Sequence, residues 1–413
     1  MKKLKVGIFG FGPRGQSFVK SLLLLNCDIV AVCENRPAQL DEVKKLIGKE
    51  VKCYTSFDDF IEEDLDAVLL TNYFHEHAPY AIKCFERNIH VFSECISNGT
   101  MAEGVMLARA FEKTKSIYFL AENYPQMKFN LEMQRVAKGG TLGKILYAEG
   151  EYIHPVSPVN ADFNKTYKYS KDHWRHYLPR TYYVTHSLGP IMRATGATPK
   201  KVSAFNAYHP FPSDTPTASM VADRVAIMTT LNDDGSVFKF VGCGGVGAHG
   251  NTYRLCGEKG QIENLRGMGE KIMLRYNAWE IPEGKEEINF YEPNWNDKDE
   301  EFIIASGHGG ADYITLRFFV ECVRNNTQPP HPYDLHSAIS MSSVAILAHR
   351  AVLNGGGAID IPDFRNEEDC RRYENDFDTP FITKNGAPTI PCCSVTDYKP
   401  SPQQVEAFLK TLE

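Results

Sequence analysis

The sequence lacks the features that mark several protein classes. It has no uninterrupted apolar run of about 18 residues, so no membrane-spanning helix is expected. It has no basic block with interleaved aromatic residues, and its formal net charge is -7, which argues against a nucleic-acid surface. The 11 cysteines are scattered, without a CxxC pair or a histidine spacing typical of zinc. They predict buried thiols in a reducing cytosol and no metal site.

The N-terminus is basic, as in a signal peptide, but it has no cleavage pattern. Glycines, Pro13 and Arg14 interrupt the apolar stretch that follows the lysines. We therefore expect a cytoplasmic protein. A chain of 413 residues is too long for one ordinary core, so two domains are predicted.

A glycine-rich loop follows the first apolar run, in the string LKVGIFGFGPRG at residues 4–15. This pattern predicts a strand, a tight turn and a helix. Gly10 allows the turn, Gly12 lets backbone N–H groups approach a pyrophosphate, and Gly15 permits close packing of helix and strand. The loop therefore predicts a dinucleotide site.

The second apolar run, residues 28–33, ends in Glu34. A carboxylate about 20 residues past the glycine loop suits the ribose hydroxyls of NAD. The alternative is a solvated glutamate after a buried strand. Arg36 lies two residues further and suits a 2′-phosphate, so NADP stays open as the less favoured cofactor.

The remaining pattern predicts an α/β domain followed by an α+β domain. Apolar strands alternate with helices as far as residue 123, which predicts a Rossmann domain with a doubly wound parallel sheet. Residues 124–364 then show seven closely spaced strands and two final helices, at 312–325 and 334–353, which predict a mostly antiparallel open sheet. An exposed sheet face favours a homodimer or homotetramer. The tail, residues 365–413, receives no firm structure.

Polar rings are concentrated in a short part of the predicted second domain. The crowded residues are His154, His173, Trp174, Arg175, His176, Tyr177, Tyr182, Tyr183 and His186. Aromatic faces with hydroxyl and imidazole groups suit a carbohydrate, which has apolar C–H faces and a rim of hydroxyls. The alternative is that Tyr183 and His186, three apart, are only hydrogen-bonded in a half-buried position.

From the glycine loop to about Phe364 the chain resembles the Gfo/Idh/MocA oxidoreductases. That resemblance implies NAD or NADP and sugar or cyclitol substrates. In the family, the strand after the fourth helix usually ends in Glu-Lys-Pro, and the lysine helps to deprotonate the alcohol. Here the string is HVFSECIS, in which Cys95 and Ile96 follow Glu94. The usual catalytic lysine is missing.

One branch of the superfamily is similar at this departure: the NAD-dependent glycoside hydrolases of the alpha-N-acetylgalactosaminidase type. The matching strings are Glu122-Asn123, Trp174-Arg175, YYVTHSLGP at residues 182–190, HGGADYI at residues 308–314 and IDIPDF at residues 359–364. Val184 replaces the branch's usual proline, and the insert between Pro155 and Asp172 differs from the expected pattern.

The resemblance implies a cofactor that is tightly bound and recycled. Hydride leaves C3 of the sugar, the C2 proton is removed, the C1 group leaves, water adds and the hydride returns. Tyr183 is the expected base, helped by a cation such as Arg175, and His186 is expected to handle the C3 hydroxyl proton. Glu94, at a strand end, is expected to orient the nicotinamide ribose or the sugar.

The expected site residues fall into two sets. The cofactor set is Gly10, Gly12, Pro13, Arg14, Gly15, Glu34, Asn35, Arg36, Thr71, Asn72, His75, His77, Glu94 and Asn123. The substrate set is Glu122, Tyr152, His154, Trp174, Arg175, Tyr183, His186, Tyr253 and His308. Tyr253 and His308 have simpler alternatives, since the first follows a glycine-rich hairpin or loop and the second starts a capping turn.

Three functions remain open at this point. The first is an NAD-dependent glycoside hydrolase, the second is a sugar or cyclitol dehydrogenase that uses NAD or NADP, and the third is a non-catalytic protein that binds sugar or cofactor. The expected partner is a small carbohydrate or glycoside rather than a nucleic acid or a membrane.

Overall fold

The computed structural model describes residues 3–155, 173–209, 222–294, 296–384 and 386–396, together with 401–403, 406 and 410. The chain forms two compact units. Unit 1 comprises Met1–Leu131, Asn294–Ser342 and Asp363–Asp376; unit 2 comprises Glu132–Pro293, Ser343–Pro362 and Phe377–Glu413. Most of the insert expected between Pro155 and Asp172 lies outside the described residues.

The secondary-structure elements are numbered here in chain order. The strands are β1 Leu4–Phe9, β2 Cys27–Cys33, β3 Lys52–Tyr54, β4 Ala67–Leu70, β5 His90–Ser93, β6 Tyr118–Leu120, β7 Ile145–His154, β8 Pro199–Ala207, β9 Val225–Asn232, β10 Val237–Gly244, β11 Tyr253–Gly257, β12 Gly260–Asn264, β13 Ile272–Tyr276, β14 Ile288–Tyr291 and β15 Ile359–Asp360. The α-helices are α1 Pro13–Ser17, α2 Val19–Leu24, α3 Pro37–Leu40, α4 Val43–Ile47, α5 Phe57–Phe60, α6 His77–Glu86, α7 Met101–Phe111, α8 Lys128–Lys138, α9 Val184–Thr195, α10 Glu300–Ile304, α11 Ala311–Asn325, α12 Leu335–Leu353 and α13 Glu367–Tyr373. Short 3-10 helices cover Tyr124–Gln126, Trp174–His176, Arg180–Tyr183 and His308–Gly310.

Unit 1 is built on a six-stranded parallel sheet in the order β3-β2-β1-β4-β5-β6. Its central strands are apolar and fully buried, as in Ala67–Leu70, because helices cover both faces of a parallel sheet. The predicted Rossmann sheet is confirmed. All six strands end at the same edge of the sheet, and this brings together the polar residues that follow the strands in the sequence.

The division into units differs from the expected domain boundary after residue 123. Helix α11 was expected to close the second domain, but it belongs to unit 1. There Phe319 packs against Phe92 and Phe119 of the sheet, with ring centroids 5.3 Å and 6.0 Å away. An amphipathic pattern shows that a helix buries one face, but it does not show which core that face joins.

Unit 2 is built on a nine-stranded sheet in the order β14-β13-β12-β11-β7-β10-β9-β8-β15. Every pairing is antiparallel except that of β7 with β10. The predicted open sheet is therefore confirmed. Strands β14 and β15 were not predicted, because β15 has only two residues and β14 is a four-residue edge strand without a buried position. Such strands depend on a neighbouring strand rather than on their own hydrophobic pattern.

Among the residues that the structure describes, no helix combines the length and the apolar character needed to cross a membrane. The same residues contain no group of three or more His, Cys, Asp or Glu side chains arranged to hold a metal ion.

Buried His349 predicts a pH-dependent stability. The side chain is fully buried in α12, and its Nε2 lies 2.6 Å from the Pro391 carbonyl oxygen. Burial lowers its pKa from 6.5 to about 4. The unfolded chain therefore takes up a proton first, and stability is full above pH 6.5 and falls as the pH drops towards 4. We expect a loss of about 2 kcal/mol between pH 6.5 and pH 5 from this group.

Urea unfolding of the wild type and His349→Gln at several pH values tests this expectation. Gln keeps an N–H donor for the Pro391 carbonyl but does not titrate. The wild type should lose more stability on acidification than the variant. Parallel pH curves for the two proteins would show that His349 is not the titrating group.

Candidate functional site

Most of the predicted cofactor residues lie where strands of the unit 1 sheet end. Gly10 follows β1, Glu34 follows β2, Thr71 and Asn72 follow β4, and Glu94 follows β5. Their positions at one edge follow from the parallel strand order, because ligands of open α/β sheets bind outside the carboxyl ends of the strands.

The three glycines of the loop meet different neighbours. Gly10 has a φ of +90°, and a Cβ there would lie 2.5 Å from the Asn72 nitrogen. A Cβ on Gly15 would lie 2.1 Å from the Gly10 oxygen, so this position keeps helix and strand close. A Cβ on Gly12 would meet only the tip of Arg36, at 3.5 Å. Gly12 is therefore the glycine that leaves the start of α1 open for an anion.

Glu34 is 4 % exposed and faces the glycine loop. It accepts a hydrogen bond of 2.9 Å from the Phe11 N–H, and its other oxygen accepts from the Arg36 backbone and Nε at 3.1 Å and 3.2 Å. The carboxylate is therefore fixed beside the loop rather than solvated, and Arg36 is paired with it. Asn35 lies between these two residues in the sequence.

Arg14 joins two carboxylates of unit 1. Its Nε donates to Glu94 Oε1 at 2.5 Å, and its Nη1 lies 3.0 Å from Asp312 Oδ2. Burial disfavours the charged guanidinium, but the negative charges of Glu94 and Asp312 outweigh this effect and raise the pKa of Arg14. Burial also raises the pKa of Glu94, against the opposing charge of Arg14. Arg14 thus ties the glycine loop to the end of β5.

Asp312 holds two further side chains of the predicted sets. His308 Nδ1 lies 2.9 Å from Asp312 Oδ2, and Asn123 Nδ2 donates to Asp312 Oδ1 at 2.7 Å. Burial disfavours the Asp312 anion, but the His308 hydrogen bond and the Arg14 charge hold its pKa well below its usual range. His308 was expected on the substrate side, and in unit 1 it lies beside the cofactor residues Arg14 and Asn123.

The side chains near the end of β4 are mostly buried. Thr71 Oγ1 donates to the Gly10 carbonyl at 2.6 Å and so supports the loop. Asn72 Nδ2 donates to the Glu76 carbonyl at 3.3 Å. His75 is 5 % exposed, and His77 is 1 % exposed with Nδ1 2.7 Å from the Ile96 carbonyl. Burial lowers the pKa of His77 to about 4, so its imidazole is neutral near pH 7.

Cys95 stands where related oxidoreductases usually have lysine, and it contacts Glu122. The Cys95 thiol donates to Glu122 Oε2 at 3.2 Å, and the Tyr124 N–H donates to Glu122 Oε1 at 3.2 Å. Glu122 has no exposed surface within the described structure. The contacts place this substrate-set residue in a buried turn at the end of β6.

In unit 2, helix α9 lies directly on strand β7. A Cβ on Gly150 would lie 2.0 Å from the Ser187 carbonyl oxygen, so only glycine permits this approach. Successive side chains of a strand point to opposite faces of the sheet, so Tyr152 and His154 lie on the same face of β7 as Gly150. This packing brings His186 of α9 close to the end of β7.

The rings of the predicted substrate set form a cluster in unit 2. Tyr152 stacks on Tyr183 with centroids 5.2 Å apart and planes 13° apart. His186 lies 4.8 Å from the Tyr152 ring and 5.7 Å from the Tyr183 ring. His154 lies 5.7 Å from Tyr152, and His249 lies 5.2 Å from His154. The structure therefore brings together the aromatic and imidazole groups that the sequence pattern singled out.

A cation contacts the Tyr183 hydroxyl. Arg175 Nη1 donates to Tyr183 Oη at 2.6 Å, and the Arg175 guanidinium carbon lies 4.4 Å from the Trp174 ring centroid. Trp174 in turn stacks on His173, with centroids 5.5 Å apart. The Arg175 guanidinium therefore fixes the position of the phenol oxygen.

Tyr253 is hydrogen-bonded to the backbone of a residue in the ring cluster. It is 2 % exposed, and its hydroxyl donates to the His186 carbonyl at 2.7 Å. The glycine-rich segment before it is not a hairpin turn, because β11 pairs with β7 and not with β10. A strand order of this kind is not visible in local sequence.

Two residues of these networks were missed by the sequence analysis, Asp312 and His249. Asp312 follows His308 by four residues, a spacing that places side chains together on a helix, but it was considered only within the HGGADYI string. His249 lies in the loop before β11 and gave no signal by itself.

The residues of unit 1 fit a dinucleotide. Gly12 leaves the start of α1 open, Glu34 is a fixed acceptor at the ribose position, and Arg36 is already paired with Glu34. This arrangement suits an unphosphorylated ribose better than a 2′-phosphate, because the phosphate would lie against the carboxylate of Glu34.

Comparison with known families agrees with both halves of this description. Residues 4–122 match the Gfo/Idh/MocA oxidoreductase family, NAD-binding Rossmann fold. Residues 251–369 match the C-terminal domain of glycosyl hydrolase 109. The chain carries a Gfo/Idh/MocA Rossmann domain and a glycosyl hydrolase 109 C-terminal domain. The resemblance found in the sequence is thereby confirmed.

Individual relatives of the chain are distant. A glycosyl hydrolase family 109 protein from Shewanella sp. (strain W3-18-1) is 25% identical over 405 residues, with 88% of this chain and 85% of the relative covered. An alpha-N-acetylgalactosaminidase from Shewanella oneidensis has the same identity and coverage. The solved structure of a levoglucosan dehydrogenase in complex with NADH and L-sorbose shares the fold, with a TM-score of 0.72 and 15% identity, over 88% of this chain and 100% of that one.

Asp312→Asn tests the Arg14 network. The substitution removes one of the two charges that neutralise Arg14, in a site where Asp312 is 5 % exposed. We expect the free energy of unfolding to fall by about 2–4 kcal/mol at neutral pH. Glu50→Gln is the control, because Glu50 pairs with Lys44 at an exposed site and should change stability little. Equal effects of the two substitutions in urea unfolding would contradict the interpretation.

Gly150→Ala tests the contact between β7 and α9. The new methyl would meet the Ser187 backbone, which has no rotamer with which to yield. We expect a loss of about 1–3 kcal/mol in unfolding free energy. Gly250→Ala adds the same methyl where the nearest atom is 3.9 Å away, so thermal unfolding should be nearly unchanged. A Gly150→Ala protein as stable as this control would mean that α9 is not held against the strand.

Proposed function

We propose that this chain is an NAD-dependent glycoside hydrolase that works by transient oxidation and elimination. The observation that carries the proposal is the 2.6 Å hydrogen bond from Arg175 to the Tyr183 hydroxyl, beside the stacked Tyr152 and the His186 ring. The glycosyl hydrolase 109 C-terminal domain and the relative named alpha-N-acetylgalactosaminidase support the same reaction class. The proposed substrate is a glycoside.

The proposed cofactor is NAD, held by unit 1. The start of α1 and the open side of Gly12 would take the pyrophosphate, and Glu34 would take the ribose hydroxyls. When bound, NAD accepts a hydride from C3 of the sugar and later returns it. Because the hydride returns, no net oxidant is required.

Oxidation of the sugar also releases the C3 hydroxyl proton, and His186 is proposed to take it. A neutral imidazole has one nitrogen that can accept a proton. The His186 backbone is held by the Tyr253 hydroxyl, and its ring is held beside Tyr152. These contacts fix the imidazole at the end of β7.

The C3 ketone makes the C2 proton acidic, and Tyr183 is proposed to remove it. The electron pair of the C2–H bond then forms the C1–C2 double bond as the C1 group leaves. Arg175 holds the phenol oxygen in place, because its N–H donates to that oxygen. The usual lysine acts on the alcohol, so its proposed replacement is His186, and Tyr183 is an additional base at C2.

Hydrolysis is completed by the same groups acting in reverse. Water adds its oxygen at C1 of the enone, and its proton goes to the departed aglycone oxygen. Tyr183 returns a proton to C2, and His186 returns a proton to the C3 oxygen, where bound NAD would give back the hydride. Tyr152 and Trp174 are buried, and their rings pack against Tyr183 and Arg175. They therefore hold the proposed proton-transfer groups in place.

Proton NMR of a panel of aryl glycosides incubated with the protein and NAD in D2O tests the reaction. We expect release of the aglycone, deuterium at C2 and no net NADH. Tyr183→Phe should lower turnover roughly 10²–10⁴-fold, because it removes the proposed base. Tyr147→Phe is the control, since Tyr147 lies on β7, as Tyr152 does, but its hydroxyl contacts Glu149 instead of the ring cluster.

Other outcomes favour other functions. NADH accumulation at 340 nm with a free sugar and no aglycone release would make the chain a dehydrogenase, as one structural neighbour is by name. Thermal stabilisation by a sugar without turnover would indicate a binding protein. Equal activity of Tyr183→Phe and the wild type would exclude Tyr183 as the base.

A further inference from the structure

From Phe377 onward the C-terminal segment belongs to unit 2, although no firm structure was predicted for it. Residues 377–396 contribute the ring of Phe381, which is fully buried. Phe381 meets Tyr182 edge to face, with centroids 5.2 Å apart and planes 89° apart. The His349 ring also packs against Tyr182, with centroids 6.3 Å apart, and His349 contacts the Pro391 carbonyl of the segment. The segment therefore packs against the residue next to Tyr183.

A second attachment of this segment is the buried carboxylate of Asp223. Asp223 has no exposed surface. Its Oδ1 accepts from the Ser394 hydroxyl at 2.6 Å, and its Oδ2 accepts from the Ser394 N–H at 2.8 Å and from Asn206 Nδ2 at 2.8 Å. The Cys393 thiol adds a longer contact of 3.6 Å. Two of these donors come from one residue of the C-terminal segment, so Asp223 fixes both its position and its direction.

Asp223 also holds the turn that carries Tyr183. Arg180 Nε donates to the Asp223 carbonyl oxygen at 2.9 Å, and Arg180 is 4 % exposed. The turn lies directly on β10, where a Cβ on Gly242 would be 2.5 Å from the Arg180 oxygen and one on Gly244 would be 2.4 Å from its guanidinium carbon. Arg180 therefore has little room to shift on the strand side.

The Arg180–Tyr183 helix is a single 3-10 turn, so its residues move together. Arg180 is bonded to Asp223 at its start, Tyr182 is packed by Phe381 in its middle, and Tyr183 at its end receives the Arg175 hydrogen bond. A hydrogen bond of 2.6 Å tolerates little displacement of its donor or acceptor.

We propose that Asp223 and the C-terminal segment anchored to it by Ser394 are positioning elements that hold the Tyr183 hydroxyl at Arg175. This proposal rests on the proposed function, in which Tyr183 is the base. Asp223 and Ser394 themselves touch neither the Tyr183 ring nor Arg175 in the contacts described above. Their effect passes through Arg180 on one side and through Phe381 and Tyr182 on the other.

The first measurement does not require turnover. Tyrosines labelled with ¹³C at Cζ give one NMR signal each, and Tyr183→Phe identifies the Tyr183 signal. We expect Ser394→Ala to shift or broaden that signal, because the phenol moves relative to Arg175. Ser203→Ala is the matched control: Ser203 also donates a 2.6 Å hydroxyl hydrogen bond within unit 2, to the Gly356 carbonyl. It should leave the Tyr183 signal unchanged.

The second measurement uses the aryl glycoside assay. Ser394→Ala and Asp223→Asn should each lower kcat roughly 10- to 100-fold with little change in KM and in NAD affinity, because a displaced base slows proton removal more than it weakens binding. In a Tyr183→Phe background the same substitutions should cause no further loss. If Asp223→Asn does not fold, Ser394→Ala still gives the result, since it keeps the Ser394 N–H donor.

Three results would overturn the proposal. The first is an unchanged Tyr183 signal in folded Ser394→Ala, and the second is a kcat equal to that of the control. The third is an equal fractional loss with and without the Tyr183 hydroxyl, which would indicate a general structural effect. A chain without glycosidase activity would refute the proposed function, whereas the NMR comparison would still decide whether the segment positions Tyr183.

Discussion

A half-buried guanidinium needs carboxylates, and this need organises the functional edge of unit 1. Arg14 stands in the glycine loop, and its partners come from distant parts of the chain, Glu94 at the end of β5 and Asp312 at the start of α11. Leaving either charge without its counterpart in a low-dielectric surrounding would cost more than a surface ion pair returns. The loop, the strand end and the helix start are therefore fixed by one interaction. Asn123 donates to the other oxygen of Asp312, and His308 shares Oδ2 with Arg14, so the network joins Asn123 of the predicted cofactor set to His308 of the predicted substrate set.

Unit 2 depends on a steric constraint rather than on charge. The contact of α9 with β7 at Gly150 brings a helix within backbone distance of a strand, and the polar rings on both elements meet as a result. The same close approach recurs on β10, where Gly242 and Gly244 let the turn at Arg180 lie directly against the strand. Glycines in strands weaken the strand itself, so their use at these places indicates that close approach is what the packing requires.

The sequence was informative where a pattern is local and repetitive. The parallel sheet, the β5 bounds and most of the strands of unit 2 follow from apolar runs and turn residues, and the glycine loop identified the dinucleotide fold. Crowding of polar rings in one short stretch also singled out Tyr183 and His186, and Tyr152 was placed in the expected substrate set. Pairings between distant residues were not predictable. Helix α11 joins unit 1, Asp312 binds Arg14, and Ser394 binds Asp223, and each of these contacts links residues more than 150 positions apart. Periodicity gives the buried face of an element but not its partner.

The missing lysine and the Arg175–Tyr183 contact are connected by the chemistry each reaction needs. Net oxidation of an alcohol needs one base, at the hydroxyl. An elimination route needs a second base, at the neighbouring C–H, and this base must be strong enough to remove a weakly acidic proton yet be present at neutral pH. Tyr183 is proposed for this second role, and Arg175 donates to its hydroxyl. Cys95 donates to the buried Glu122, so its thiol is engaged there. The proposed elimination route therefore rests on the Arg175–Tyr183 contact in unit 2.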